Sequence, residues 1–198
     1  ALTGGQSGIG PITRFDATDF PVKFAGEVTD FPEDAFFDKK EARKMDLFIH
    51  YALGAAELAM ADSGLEITEA NADRVVVVVG SGMGGLPAIE KYHEALAAGG
   101  YRKISPFFIP RSVINLGAAQ MSMQFGAKGT NLAPVSACAT GTHSIGDAFR
   151  MIQRGDADAV ISGGTESTVC PLGIGGFSVM KALSTRNDDP QAASRPFD

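Results

Sequence analysis

Between Lys39 and Leu65 the apolar residues recur at three- and four-residue intervals, with Leu47, Phe48, Tyr51, Ala52, Ala55, Leu58 and Ala59 in one series. That spacing predicts an amphipathic helix, with Asp46 able to cap its start and Gly64 to stop it. The period then changes. Val75 to Val79 is an unbroken β-branched run ending in Gly80, as expected of a strand buried on both faces of a largely parallel sheet. "SGMGGLP" turns the chain into a second helical stretch, "AIEKYHEALAAGG", and "SPFFIPRSVINLGAAQMSMQFG" reads as a proline-broken approach to a third. "TNLAPVSA" reads as a strand, "GTHSIGDAFRMIQRG" as a helix ending at Gly155, and "DAVISGGTES" as one more buried strand. The order helix, strand, helix, helix, strand, helix, strand is α/β. Residues 1–35 read as loop and short turns, because Pro11, Pro21 and Pro32 interrupt any long element. The chain opens in mid-loop and closes on the polar stretch "LSTRNDDPQAASRPFD", so the fold is expected to need segments outside it.

Composition narrows the class. Apolar residues make up 44% of 198 and charged residues 20%, a balance that fills a core and excludes a disordered chain. The length suits one substantial domain or part of a larger one. A net charge of -6 argues against nucleic-acid binding, which draws on a basic field. No apolar run reaches the ~18 residues of a membrane span, and "ALTGGQSGIGPITRFD" lacks the basic and apolar regions of a secretory signal. Two cysteines make no disulfide framework, so a reducing, cytoplasmic setting is the expectation. No metal site is expected either: there is no CxxC, and the three histidines are far apart.

One of those cysteines stands out. Cys138 falls where a predicted strand turns into a predicted helix, among Ser136, Ala137, Ala139, Thr140 and Gly141. Small neighbours allow a sharp turn and close approach of a substrate. The following helix would aim its free N–H groups and positive dipole end at the sulfur, favouring thiolate and offering donors to an oxyanion. The residues alone leave an alternative open, since free cysteine is often only a small buried hydrophobe. His143, five residues on, is a potential base or a hydrogen-bonded helix histidine. Cys170 in "STVCPLGIGGF" shows neither a helix start nor a basic neighbour and reads as structural. "GSGMGGL" follows a strand like a phosphate loop, yet it has neither the GxxxxGK[ST] lysine nor GxGxxG spacing.

"SACATGTHSIGDAFRMIQRGDADAVISGGTES", "GIGGF" and "KALSTRNDDPQAASRPFD" together resemble the β-ketoacyl-[acyl carrier protein] synthases, specifically the elongating, synthase II type of type II fatty-acid synthesis. The resemblance runs from "GQSGIGPITRFD" to the last residue. It implies a thiolase-like layered α/β fold, of which residues 1–198 are the N-terminal half, with the first strand and the C-terminal half outside this chain. It also implies a decarboxylative Claisen condensation, in which a cysteine takes an acyl chain from acyl carrier protein and malonyl-acyl carrier protein supplies the attacking carbanion. Cys138 matches the nucleophile. Two histidines and a lysine complete the site in the family, and His50, His93 and His143 do not lie in the matching motifs. Met83, Phe108, Ile109 and Phe177 match acyl-pocket positions, with Phe108 and Ile109 reaching the pocket of a dimer mate. Lys40, Arg43, Lys44, Arg102, Lys103 and Lys181 match positions that dock the acidic acyl carrier protein, where electrostatic steering would act. A cytoplasmic homodimer without metal or organic cofactor is implied, the phosphopantetheine being carried by the partner.

Two other readings compete. A cysteine hydrolase or acyltransferase would use Cys138 with His143 and turn over simple thioesters or amides unaided. A non-catalytic module would bind acyl carrier protein or steady a partner subunit; such relatives typically lack the nucleophilic cysteine, which this chain keeps.

Overall fold

The computed structural model describes residues 2–197. In chain order the elements are β1 (Ile9–Pro11), β2 (Phe24–Gly26), α1 (Glu33–Phe36), α2 (Lys39–Ala42), α3 (Leu47–Ser63) and β3 (Val75–Gly80). There follow α4 (Leu86–Gly99), α5 (Phe108–Ser112), α6 (Leu116–Phe125), β4 (Asn131–Leu132), α7 (Thr140–Arg154), β5 (Ala159–Gly164) and α8 (Pro171–Val179). They fall into two compact units, residues 32–167 and residues 2–31 with 168–197.

The larger unit is built on a parallel sheet of order β4-β3-β5. β3 is central and pairs along its whole length with β5, from Val75 against Ala159 to Gly80 against Gly164. Every residue of β3 is buried, and the alternation of its side chains explains why. Val75, Val77 and Val79 pack against Met45, Phe48, Ile49, Ala52, Leu53 and Ala56 around α3, and against Ala118 and Met121 of α6. Val76 and Val78 face the opposite way, with Ala157 and Met151, on the side where α7 packs on β3 and β5. Helices thus cover both faces, as the continuous apolar run predicted. Just before the paired starts of β3 and β5 the Arg74 guanidinium meets Asp158 at 2.7 Å and holds that carboxyl below its ordinary range.

Several boundaries differ from the sequence reading. The helix expected across residues 39–65 is two helices. Asp38 caps α2, its Oδ1 accepting from Lys40 N and Glu41 N at 2.8 Å. Asp46 then adopts an extended conformation that interrupts the run. It occupies the N-cap position of α3, but its side chain makes no capping bond there and instead accepts from Ser167 Oγ at 3.3 Å. The buried stripe of α3 also shifts: Ile49, Leu53 and Ala56 go inward, while Ala55, Leu58 and Ala59 are exposed. Position on the cylinder fixes the side that meets the sheet, and the 47–51–55–59 series runs off it. "TNLAPVSA" contributes only Asn131 and Leu132 to the sheet.

The smaller unit holds a short antiparallel pair, Ile9 opposite Gly26 and Pro11 opposite Phe24, within the region read as loop. Asn187 ties the two chain segments of this unit together: Oδ1 accepts from Lys23 N at 3.0 Å, and Nδ2 donates to Pro21 O at 2.9 Å. α8 was not expected, because Gly173, Gly175 and Gly176 give it poor helix propensity. Pro171 starts it at a position where a missing N–H costs nothing.

Candidate active site

Cys138 is the middle residue of a single 3-10 turn, Ala137–Ala139, that runs directly into α7. It is exposed, whereas Cys170 is buried at 5% exposure. This separates the two thiols more firmly than the sequence did. Cys170, read as away from any helix, is in fact the N-cap residue of α8, so burial rather than the absence of a helix keeps it structural.

The turn is held by α7's first residues. Thr140, 3% exposed, accepts from Ser136 N at 2.9 Å through Oγ1 and donates the same hydroxyl to Ala137 O at 2.7 Å. Ala139 N–H bonds to Ser136 O at 3.1 Å, and Thr140 N–H bonds to Ala137 O. His143 Nδ1 lies 2.7 Å from Ser136 Oγ, which makes it a brace on the turn. Ala137, immediately before the cysteine, has φ +51°. A side-chain-bearing residue rarely adopts that left-handed conformation, and the surrounding bonds hold it there. The result is a tight elbow that lifts Cys138 off the sheet toward solvent.

Close packing brings a second loop to the same place. Gly80 ends β3 so near the elbow that a Cβ there would stand 1.9 Å from Pro134 O and 2.5 Å from Thr140 Cγ2. A Cβ on Gly164, the end of β5, would come within 2.9 Å of Gly141 Cα. Only glycine lets the start of α7 sit this low on the strand ends. The loop after β3 carries Met83, which is 41% exposed. Its amide donates to Glu166 Oε2 at 2.8 Å, and Gly84 N donates to the buried Ser81 Oγ at 3.0 Å. A Cβ on Gly82 would lie 3.4 Å from Ala137 Cα, so the Met83 loop abuts the residue preceding the nucleophile candidate.

The same loop borders α5. A Cβ on Gly84 would meet Ile114 Cγ1 at 2.7 Å, and one on Gly85 would meet Arg111 O at 2.0 Å. Phe108 is half-buried, edge-on to the Tyr92 ring at 5.4 Å, while Ile109 beside it is 61% exposed. Phe177 lies in α8 and Lys181 follows it with φ +56°, both in the smaller unit. Lys40 and Arg43 are exposed, and Lys44 is ion-paired with Glu41 at 2.5 Å. Lys40 lies on the separate, Asp38-capped α2, Arg43 is that helix's C-cap and Lys44 follows it, so none stands at the start of the long helix expected from the sequence. Arg102 and Lys103 are exposed on the turn that packs against α4. An open groove of about 640 Å3 runs beside the elbow, lined by Pro134, Ser136, His143 and Arg150 among others. Among the described residues, no group of three or more His, Cys, Asp and Glu is arranged to hold a metal ion. No helix there is long and apolar enough to cross a membrane.

The sequence marked Ala137 and Thr140 only as small neighbours of Cys138, and Glu166 only as part of a strand end. Their parts depend on hydrogen bonds and a backbone angle that no residue pattern announces.

Comparison with known proteins bears on this geometry. The family model for the N-terminal domain of β-ketoacyl synthases matches residues 1–198. The 3-oxoacyl-[acyl-carrier-protein] synthase 2 of Coxiella burnetii is 54% identical over 198 residues, and that of Vibrio harveyi is 55% identical over 198 residues. In both cases all of this chain aligns, against 48% of the relative, so the chain spans about half the length of the curated relatives it matches. The crystal structure of a β-ketoacyl synthase from Burkholderia phymatum superposes with a TM-score of 0.85 at 29% identity, covering 100% of this chain and 48% of that one. The α/β layers and the elbow therefore have a family: the chain belongs to the β-ketoacyl synthases and matches their N-terminal domain.

Proposed function

We propose that the chain is the acyl-accepting, N-terminal half of an elongating 3-oxoacyl-[acyl-carrier-protein] synthase of type II fatty-acid synthesis. The observation that carries this reading is the exposed Cys138, held on an elbow at the start of a 15-residue helix. The family match and the names of the relatives support the substrate class.

In the first stage the Cys138 sulfur, as thiolate, adds to the thioester carbonyl carbon of an acyl chain carried by acyl carrier protein. The tetrahedral oxyanion collapses and the bond to the phosphopantetheine sulfur breaks. That sulfur leaves as a thiolate and takes up the proton given up by Cys138. The Cys138 amide is a candidate donor to the oxyanion, since the neighbouring amides of Ala139 and Thr140 are already committed. The positive dipole end of α7 favours the oxyanion as it develops. In the second stage malonyl-acyl carrier protein loses CO2, its carbanion attacks the acyl-cysteine carbonyl, a C–C bond forms and the cysteine thiolate is released. The two histidines and the lysine that the resemblance assigns to this stage have no counterpart motif in residues 1–198, so this half alone does not complete the condensation.

Met83, Phe108 and Ile109 are assigned as walls for the acyl chain, and the outward-facing Ile109 suits a pocket shared across a homodimer; Phe177, in the smaller unit, takes the same assignment from the resemblance alone. Lys40, Arg43, Lys44, Arg102, Lys103 and Lys181 steer the acidic carrier protein to the site. The protein works in the cytoplasm.

The test is transfer of an acyl group from acyl carrier protein to the full-length protein carrying this chain, with the acylated peptide read by mass spectrometry. Acylation of Cys138 and not Cys170, lost in Cys138→Ala while carrier-protein binding persists, is the expected result. Carrier-protein binding without any acyl-cysteine in the folded protein would instead make the chain a non-catalytic binding module.

A further inference from the structure

We infer that Glu166 is a positioning residue that sets the acyl-chain preference of the site by holding the Met83 loop against the cysteine elbow; this rests on the reading of Met83 as a pocket wall. Glu166 lies two residues beyond β5, in the "GGTES" stretch, where the sequence assigned it no role of its own. Its Oε2 accepts the Met83 amide at 2.8 Å, and its Oε1 accepts the amide of Ser167 at 3.2 Å. Among the described residues it has no cationic partner. An ionised carboxylate directed at backbone amides makes charge-assisted bonds, roughly twice as strong as neutral ones.

The stem that carries this carboxylate is anchored on both sides. Thr165 N donates to Gly80 O at 3.0 Å, and Thr165 Oγ1 donates to Phe48 O at 2.6 Å. Ser167, 7% exposed, donates to the buried Asp46 at 3.3 Å. The loop on the other side is anchored too, by Ser81 Oγ to Gly84 N and by the tight contact of Gly85 with Arg111 O. Between these fixed points the Glu166 carboxylate holds the Met83 peptide through its amide. The place of Gly82 makes this specific. A Cβ there would lie 3.1 Å from Glu166 Oε2 and 3.4 Å from Ala137 Cα, so the loop is threaded between the carboxylate and the residue before Cys138. Releasing the carboxylate lets the loop move away from the elbow. The Met83 side chain then no longer limits an acyl chain at a fixed distance from the sulfur.

The experiment uses the full-length protein carrying this chain and acyl-carrier-protein thioesters from hexanoyl to hexadecanoyl, reading the rate at which each acylates Cys138. Glu166→Ala is expected to change the ratio of long-chain to short-chain rates by about tenfold, the scale of one charge-assisted hydrogen bond. Glu166→Gln keeps an acceptor oxygen and is expected to hold that ratio within about twofold of the wild type. Iodoacetamide alkylation of Cys138 in the same samples should be unchanged, which a general collapse of the site would not leave. Met83→Phe is the control for the underlying reading. A chain-length profile unmoved by Met83→Phe overturns the pocket assignment, whereas one moved by Met83→Phe but not by Glu166→Ala overturns the role of Glu166 alone. If Glu166→Ala fails to fold, Glu166→Asp withdraws the carboxylate by one methylene, and an unchanged ratio in that variant overturns the inference equally.

Discussion

Gly80→Ala is the sharpest test of the packing that forms the elbow. The added methyl would stand 1.9 Å from Pro134 O, about 1.5 Å short of ordinary van der Waals contact, and 2.5 Å from Thr140 Cγ2. Something has to move, and β3 is poorly placed to do so. Gly80 closes a six-residue parallel register with β5, and its carbonyl accepts Thr165 N at 3.0 Å. The segment from Pro134 to Thr140 therefore yields, and Thr140 is the residue whose hydroxyl bonds Ser136 N and Ala137 O. Overpacking of this kind costs about 1–3 kcal/mol, and disturbing the Thr140 bonds adds about 1 kcal/mol. Denaturant unfolding should show the loss as a lower midpoint at unchanged slope. Because reacting atoms tolerate little displacement, acyl transfer to Cys138 should slow by about tenfold or more. Gly146→Ala is the counterpart. It lies inside α7 with nothing within 4 Å of its Cβ position, and alanine there should stabilise by up to about 1 kcal/mol through helix propensity. A Gly80→Ala protein that unfolds at the wild-type midpoint and acylates Cys138 at the wild-type rate would refute the account.

Other consequences follow from single contacts. Thr140→Val keeps the shape but strands the part-buried Ser136 amide, so it should destabilise by about 1–3 kcal/mol and slow acylation of Cys138, as read by denaturant midpoint and mass spectrometry. Burial holds the Asp46 carboxyl above its ordinary range, so the folded state keeps that proton more tightly than the unfolded state does. Stability from this group is present below its ordinary pKa and is lost as pH rises through the raised value. Asp46→Asn should therefore gain stability relative to wild type across that rise, and a pH-independent difference between the two would count against it. Charge reversal at Lys40 and Arg43 should slow association with acyl carrier protein and flatten its salt dependence, measurable by stopped-flow at several ionic strengths. Under native conditions iodoacetamide should modify the exposed Cys138 and spare the buried Cys170, and equal labelling would contradict their placement.

The hydrophobic pattern by itself determined the α/β class, the central strand Val75–Gly80, the helix ending at Gly155 and the singular position of Cys138, because burial imposes a period wherever an element lies against a core. The long motifs around that cysteine were enough to identify the family. Tertiary structure decided the rest. The break at Asp46 and the inward stripe of Ile49, Leu53 and Ala56 depend on where α3 meets the sheet, which one helix's spacing does not encode. The nine-residue α8 forms in spite of three glycines, overriding local propensity. Ala137 accepts a left-handed angle because Thr140 bonds bracket it, and Gly80 is required because a carbonyl from another segment lies beside it. Glu166 reaches the Met83 amide across 83 residues of chain. Such contacts join distant segments through geometry, and nothing in the order of residues near either end specifies the other.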